Sequence, residues 1–314
     1  MAQWELAKTA LSSALNIMPR FSLTLAKIRE IIKSAWRQIE SRRLGAHCRS
    51  RQVRLWPIKE KPLVIAHRGG GHEALENSLY AFRVTAERGF RFIETDAQAT
   101  SDGVVVLFHD SVLERTTNGF GKISGYTWDQ LSQVRDHSGN SLVRLDTALA
   151  EFPHVIFNID AKGWNVVEPL IVTIRKAGKQ AREQVCLASF SETRLQRLRA
   201  QLPGFASSLG TGAIAALVIA SRLPKGISRI IAKIAVPDAG RGVQAVQVPQ
   251  RQGPIRVITP IFVELCHSLG LAVHAWTINR ESDMRALLAL GIDGIITDKP
   301  SRARAVIDDW WAGR

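Results

Sequence analysis

The sequence predicts an α/β protein built as a TIM-type (β/α)8 barrel, with a small insertion after an early strand and an N-terminal helical extension. Three observations predict it. From residue 62 onward, short apolar runs alternate with helix-length amphipathic segments, the pattern of parallel strands joined by crossover helices. Residues 62–314 are close to the ~250 residues typical of such a barrel. Polar residues collect in the later parts of several strands, at His67-Arg68, Glu94 and Asp96, Asp160 and Lys162, and His274 and Trp276. In a closed barrel those ends meet on one face, whereas a doubly wound sheet gathers its site at a crevice between few strands.

Residues 1–60 read as a basic, mainly helical extension. Leu25, Ile28, Ile32, Ala35 and Ile39 recur at spacings of three and four, with Lys27, Arg29, Lys33 and Arg37 away from that stripe. Pro19 separates this helix from an earlier one over Trp4 to Asn16. Twelve Lys and Arg against four Glu give the segment +8 of the chain's formal +14. Two roles are open to it: peripheral contact with an anionic membrane surface, or packing of the stripe against the barrel.

Residues 61–314 form the barrel domain. Strands are expected over 63–68, 91–97, 104–109, 155–161, 185–190, 205–209, 244–248, 272–278 and 294–297. Helices are expected over 77–88, 166–177, 191–201, 211–222, 259–269 and 281–290. Residues 111–145, rich in Thr, Gly, Ser and Asp, break the rhythm and read as an insertion lying over the mouth of the site, a candidate lid.

Composition narrows the class. Cys48, Cys186 and Cys266 are scattered without C-x-x-C spacing, which argues against a disulfide framework and a zinc site and for a reducing, cytoplasmic setting. No uninterrupted apolar run reaches the ~18 residues of a spanning helix, and the start lacks the basic and apolar regions of a signal peptide. A nucleic-acid partner is not expected, because only net charge would support it.

The chemistry starts from strand alternation, which places Glu94 and Asp96 on one face and Asn158, Asp160 and Lys162 on one face of another strand. Three carboxylates suit a hard divalent cation such as Mg²⁺ or Ca²⁺. The competing reading of Asp160 is an internal ion pair with Lys162. His47, His72, His137, His154 and His267 lack a partner pattern and read as structural or surface residues.

Taken in order, His67-Arg68-Gly69, Glu76-Asn77-Ser78, Glu94-Thr95-Asp96, Asp102-Gly103, His109-Asp110, Asp160-Ala161-Lys162, Trp276-Thr277-Ile278-Asn279 and Thr297-Asp298-Lys299-Pro300 resemble the motif series of the glycerophosphodiester phosphodiesterases. The resemblance runs from about residue 62 to residue 300. Two positions depart from it: Leu75 stands where the family has proline, and Asp160 where it has glutamate. The resemblance implies metal-dependent hydrolysis of glycerophosphodiesters to glycerol 3-phosphate and an alcohol. It implies that Glu94, Asp96 and Asp160 hold the metal, that Arg68 and Lys162 grip the phosphate, and that His67 and His109 act as acid and base. Glu76 and Asn77 would lie beside the metal or substrate, and Trp276 would wall the glycerol or alcohol moiety. An alternative is a lysophospholipase D acting on lysophospholipids at a membrane, favoured by the basic N-terminal segment and by the apolar, basic stretch Ile227 to Val236. A third reading is a non-catalytic module that binds a lipid head group or a protein partner.

Overall fold

The computed structural model describes residues 53–236 and 242–313, so the helices expected over residues 1–52 lie outside the described residues. Its strands in chain order are β1 (Leu63–His67), β2 (Phe92–Ala99), β3 (Val105–Leu107), β4 (Val143–Arg144), β5 (Ile156–Ala161), β6 (Val185–Ala188), β7 (Ala206–Ser208), β8 (Val243–Pro249), β9 (Arg251–Gln252), β10 (Ile255–Arg256), β11 (Ala272–Trp276) and β12 (Gly294–Thr297). Eight of them, β1, β2, β5, β6, β7, β8, β11 and β12, pair in parallel in that order, and β12 returns to β1. The barrel is therefore closed, as the strand-end polar residues predict.

The expected strand over 104–109 is not one of the eight. Its core, β3, runs antiparallel to β2, and β4 extends the same edge. The physical reason is a tight reversal: Thr100 accepts a bond from the Val104 amide through its hydroxyl, and Gly103 has a positive φ of 80°, so too few residues separate β2 from β3 for a parallel crossover.

Helices follow most barrel strands: α1 (Leu79–Glu87), α2 (Trp128–Leu131), α3 (Leu145–Glu151), α4 (Val167–Lys176), α5 (Ala181–Gln184), α6 (Glu192–Gln201), α7 (Thr211–Ala220), α8 (Lys225–Ala235), α9 (Pro260–Ser268), α10 (Glu281–Ala289) and α11 (Pro300–Ala312). Side-chain caps start several of them: Ser78 accepts from the Ala81 amide, Ser191 from Arg194, and Thr259 from Phe262 ahead of Pro260. Their apolar faces pack on the outside of the barrel. Phe82 of α1 meets Phe157 of β5 edge-on at 5.6 Å. Helix α8 has no counterpart among the expected helices; it lies in the stretch read only as apolar and basic.

Residues 53–58 seal the barrel floor. Gln244 accepts the Leu55 amide at 2.8 Å and donates to the Val53 carbonyl, which ties the segment to the start of β8. Trp56 then enters the barrel and is fully buried among Ile65, Ile156, Cys186, Ala245 and Ile296. Its indole Nε1–H donates to Cys186 Sγ at 3.2 Å. His274 meets the Trp56 ring edge-on at 4.7 Å and is fully buried, and burial pushes its pKa down to about 4. A neutral imidazole inside the floor layer is thus the role of His274, not a place among the polar groups at the mouth.

The insertion over residues 111–145 carries a small core of its own, in which Phe108, Leu113, Ile123, Leu131, Val134 and Leu142 pack together. It is a built subdomain on the β3–β4 edge rather than a structureless loop.

Candidate active site

Register brings the acids together. Asp96 lies opposite Asp160, and Glu94 lies opposite His67 on one side and Asn158 on the other. All three acids are buried. Lys162 stands between two of them, with Nζ 2.7 Å from Asp96 Oδ1 and 2.8 Å from Asp160 Oδ2. The ion pair read as the competing role of Asp160 is therefore present, and it includes Asp96. Among the described residues, no group of three or more His, Cys, Asp or Glu side chains is arranged to hold a metal.

The first two motifs form one backbone unit. Arg68 and Asn77 both have positive φ, 53° and 54°, and the Asn77 amide donates to the Arg68 carbonyl at 2.9 Å. Gly69 follows at φ 82°, where a Cβ would meet Phe82 Cδ1 at 2.8 Å, so only glycine fits. This tight turn aims Arg68 inward. Its Nη1 donates to both oxygens of Glu76 at 3.1 Å, and its Nε faces Asp96 Oδ2 at 3.2 Å. Asn77 donates to Asp96 Oδ2 at 3.2 Å and accepts from Thr95 Oγ1, while Ser78 caps α1. Each residue of Glu76-Asn77-Ser78 thus fixes a different neighbour.

Electrostatics leave a few atoms unsatisfied. Burial opposes ionisation of Asp96, but the charges of Lys162 and Arg68 hold its carboxyl below the usual range. Burial and the negative charge of Asp96 push Glu94 up to about 8. Burial also raises Asp160, against the pull of Lys162. Glu94 Oε2 and Asp160 Oδ1 are buried without a hydrogen-bond partner, while Arg68 Nε faces Asp96 Oδ2 at 3.2 Å as an ion pair. Unmet acceptors on two neighbouring acids are complementary to a cation.

The histidines have carboxylate partners that the motifs contain but to which sequence reasoning gave no role. His67 Nδ1 is 2.6 Å from Asp298 Oδ1, and its Nε2 faces Glu94 Oε2 at 3.7 Å. Burial works against charge on His67, but the Asp298 bond and the charges of Glu94 and Asp298 outweigh it and raise the pKa. Asn279 donates to Asp298 Oδ2 at 2.7 Å and accepts from the Asp298 amide, which explains why the last two motifs occur as a pair. His109 Nδ1 is 2.6 Å from Asp110 Oδ1. Arg115 closes the circuit, donating to Asp110 Oδ2 at 2.5 Å and to Glu76 Oε1 at 2.6 Å. Its place in the insertion offered no spacing by which to find it.

Trp276 reaches the same mouth, half-buried, edge-on to Phe190 at 5.8 Å. Lys162 Nζ lies 5.7 Å from the centre of the Phe190 ring. His72 is mostly exposed, 3.9 Å from Asp298, and His267 is a buried partner of Asp293 at 2.7 Å. Every catalytic, phosphate-binding and metal-ligand residue expected from the sequence therefore comes to the mouth of the barrel, with Asp298, Asn279, Asp110 and Arg115 added.

Comparison with known proteins agrees with this geometry. The model of the glycerophosphoryl diester phosphodiesterase family matches residues 67–302. A Mycobacterium tuberculosis protein named probable glycerophosphodiester phosphodiesterase 2 is 38% identical over 247 residues, spanning 78% of this chain and 90% of that protein. In fold, the chain is similar to a putative glycerophosphoryl diester phosphodiesterase from Silicibacter pomeroyi, with a TM-score of 0.65 and 22% identity over 82% of this chain and 96% of that one. It is also similar to an Oleispira antarctica phosphodiesterase solved with its product sn-glycerol 3-phosphate, with a TM-score of 0.63 and 24% identity over 79% of this chain and 97% of that one. A closed barrel carrying this ordered motif series is an enzyme scaffold for phosphoric diester hydrolysis, and the chain belongs to the glycerophosphoryl diester phosphodiesterase family.

Proposed function

We propose that the chain hydrolyses glycerophosphodiesters to glycerol 3-phosphate and an alcohol, with the help of a divalent cation. The observation that carries this reading is the pair of buried acceptors without a partner, Glu94 Oε2 and Asp160 Oδ1, beside the cationic Arg68 and Lys162. A hard cation would supply the missing charge between the oxygen ligands, and a phosphodiester would bring the anion that Arg68 and Lys162 can bind. Carboxylate oxygens are the donor chemistry that suits Mg²⁺ or Ca²⁺, and Glu94, Asp96 and Asp160 would be the ligands once Lys162 gives up its contacts with Asp96 and Asp160. Bound there, such an ion would neutralise charge on the phosphoryl oxygens as a Lewis acid.

The protein's own groups account for the other requirements of the reaction. Arg68, oriented by Glu76, and Lys162 would bind the phosphate; Lys162 would exchange part of its contact with Asp96 and Asp160 for the substrate. His67, whose proton is favoured by Asp298 and Glu94, is suited to donate at the leaving oxygen. His109, held at Nδ1 by Asp110, presents Nε2 as the matching base. Asn77 would keep Asp96 in place, and Trp276 would shield the glycerol or alcohol moiety from water. The relative solved with sn-glycerol 3-phosphate supports the choice of product.

The test is incubation of the purified chain with glycerophosphocholine, glycerophosphoethanolamine and lysophosphatidylcholine, each with Mg²⁺, Ca²⁺ or chelator. Release of glycerol 3-phosphate that chelation abolishes is the expected result. No release from any diester overturns the reading, and full turnover under exhaustive chelation overturns the metal.

A further inference from the structure

The rim of the barrel is unevenly built. The loops after β5 and β6 expose Trp164 and Phe190, at 57% and 56% of their surface, on the side from which Phe190 also faces Trp276. Directly after β7 comes α7, Thr-Gly-Ala-Ile-Ala-Ala-Leu-Val-Ile-Ala, a helix without a charged residue. Its first amide, Thr211 N, donates to the Phe190 carbonyl at 3.0 Å, and just past its end Arg222 donates to the Arg256 carbonyl at 2.6 Å. Phe190 and Arg256 both sit in connections at the carboxyl ends of strands. Both ends of α7 are thus tied to connections on the rim.

Only part of α7 is covered. Ala213, Ala216, Leu217 and Ala220 are buried, while Ile214, Val218 and Ile219 remain partly exposed. Helix α8 continues the character, with Ile230 56% exposed and Lys225 and Arg229 on the surface. The charge is one-sided: from Thr193 to Val236 the chain contains no Asp or Glu, yet it carries Arg222, Lys225, Arg229 and Lys233 in its last third. Apolar and aromatic groups on the rim, flanked by the exposed Lys225 and Arg229, are complementary to anionic lipid head groups over acyl chains.

We propose that the arc formed by Trp164, α7 and the start of α8 is a docking surface for an anionic bilayer, which sets the mouth of the barrel on the membrane. The chemistry at the mouth rests on the function proposed above, and the arc extends it to lysophospholipids held in that bilayer, whose head group would enter beside Phe190 and Trp276. The docking itself does not depend on catalysis.

The experiment uses the full chain and vesicles of phosphatidylglycerol and phosphatidylcholine, with co-sedimentation at low and high salt, for wild type, Trp164→Ser and the double variant Lys225→Glu/Arg229→Glu. Each Lys or Arg near an anionic surface is worth about 1 kcal/mol, so the double variant should lose at least about tenfold in partitioning. Trp164→Ser should also bind less, and wild-type binding should fall as salt rises. Turnover of water-soluble glycerophosphocholine reports folding and should be unchanged in both variants. Vesicle binding equal to wild type in both variants overturns the proposal and assigns adsorption to residues 1–52. Absence of wild-type binding at low salt also overturns it and leaves the arc to a protein partner. Failure of the substrate reading would appear separately, as no turnover of the soluble diester by wild type.

Discussion

Asp298 Oδ1 lies 2.6 Å from Nδ1 of His67, joining the loop after the last barrel strand to the end of the first strand. The contact fixes which imidazole nitrogen faces the acids, and it favours the charged ring. In Asp298→Asn the pKa of His67 should fall, since a charge and a strong acceptor are lost. If His67 donates the proton, the alkaline limb of kcat/KM should then move to lower pH. Stability should respond with the same sign. The pair's contribution is fully present below the ordinary histidine value of 6.5 and is lost as pH rises through the raised folded value, so the variant's deficit in Tm should be larger near about pH 5 than near about pH 9. An unmoved pH–rate profile would refute the positioning role.

Glu94 carries the opposite linkage. Its carboxyl is raised from 4.5 to about 8 by burial and by Asp96. The metal-free folded chain therefore holds a proton that the unfolded chain has released, and stability should decline as pH rises between those two values. Glu94→Gln should flatten that decline, measured as Tm against pH in chelator. Added Mg²⁺ or Ca²⁺ should raise the wild-type Tm and leave the variant's unchanged. Identical slopes for the two proteins would count against the uncompensated charge.

Arg115 is the link between the two halves of the site, through Glu76 to Arg68 and through Asp110 to His109. Arg115→Ala should let both carboxylates relax, and displacements of this kind cost up to about 10²-fold in rate. A fall in kcat/KM of at least about tenfold is expected, with Arg115→Lys recovering only part because one ammonium cannot span both acids in the same way. Steady-state kinetics with a soluble diester would decide, and wild-type values for Arg115→Ala would remove the residue from the argument.

Asp160→Glu lengthens a side chain whose Oδ2 is 2.8 Å from Lys162 and whose Oδ1 is unpaired. The variant should remain active with a changed ratio of Mg²⁺- to Ca²⁺-supported rates, because Mg²⁺ tolerates ligand displacement less readily. A ratio equal to wild type would show that this departure from the family pattern does not tune the site.

Trp56→Ala removes the largest side chain of the floor layer. Truncation of a buried Trp costs about 3–5 kcal/mol, which at about 2–4 °C per kcal/mol for a domain of this size lowers Tm by roughly 6–20 °C. Differential scanning calorimetry would measure it. A loss below about 2 °C would mean that the floor is sealed without the indole.

How much of this was legible in the sequence follows from the range of each interaction. Alternation along β2 and β5 places Glu94, Asp96, Asp160 and Lys162 on faces that any parallel pairing brings together, so those residues were readable from local pattern. His67, Arg68 and His109 were readable from the ordered motifs. The partners were not. Asp298 reaches His67 across 231 residues of chain, and Arg115 reaches Glu76 across 39, and neither spacing carries a periodic signal. β3 was misassigned to the barrel because its apolar run resembles a barrel strand, while the reversal at Thr100 to Val104 that turns it back is set by one hydroxyl and one glycine. Trp56 sat in a segment whose charge drew attention outward, although its own side chain points into the barrel.

The floor seal also gives the molecule a polarity. Val53 is bound to Gln244 at the start of β8, so the preceding chain joins the barrel at the pole away from the phosphate-binding cluster. A tether made immediately ahead of Val53 would hold the opening toward the aqueous phase, where it would meet diesters already dissolved. Contact through the rim would turn the same opening toward the lipid. If the rim docks as proposed, the two ends of the barrel would select between two substrate pools, and the orientation of the molecule, with no change in its catalytic residues, would decide which one it consumes.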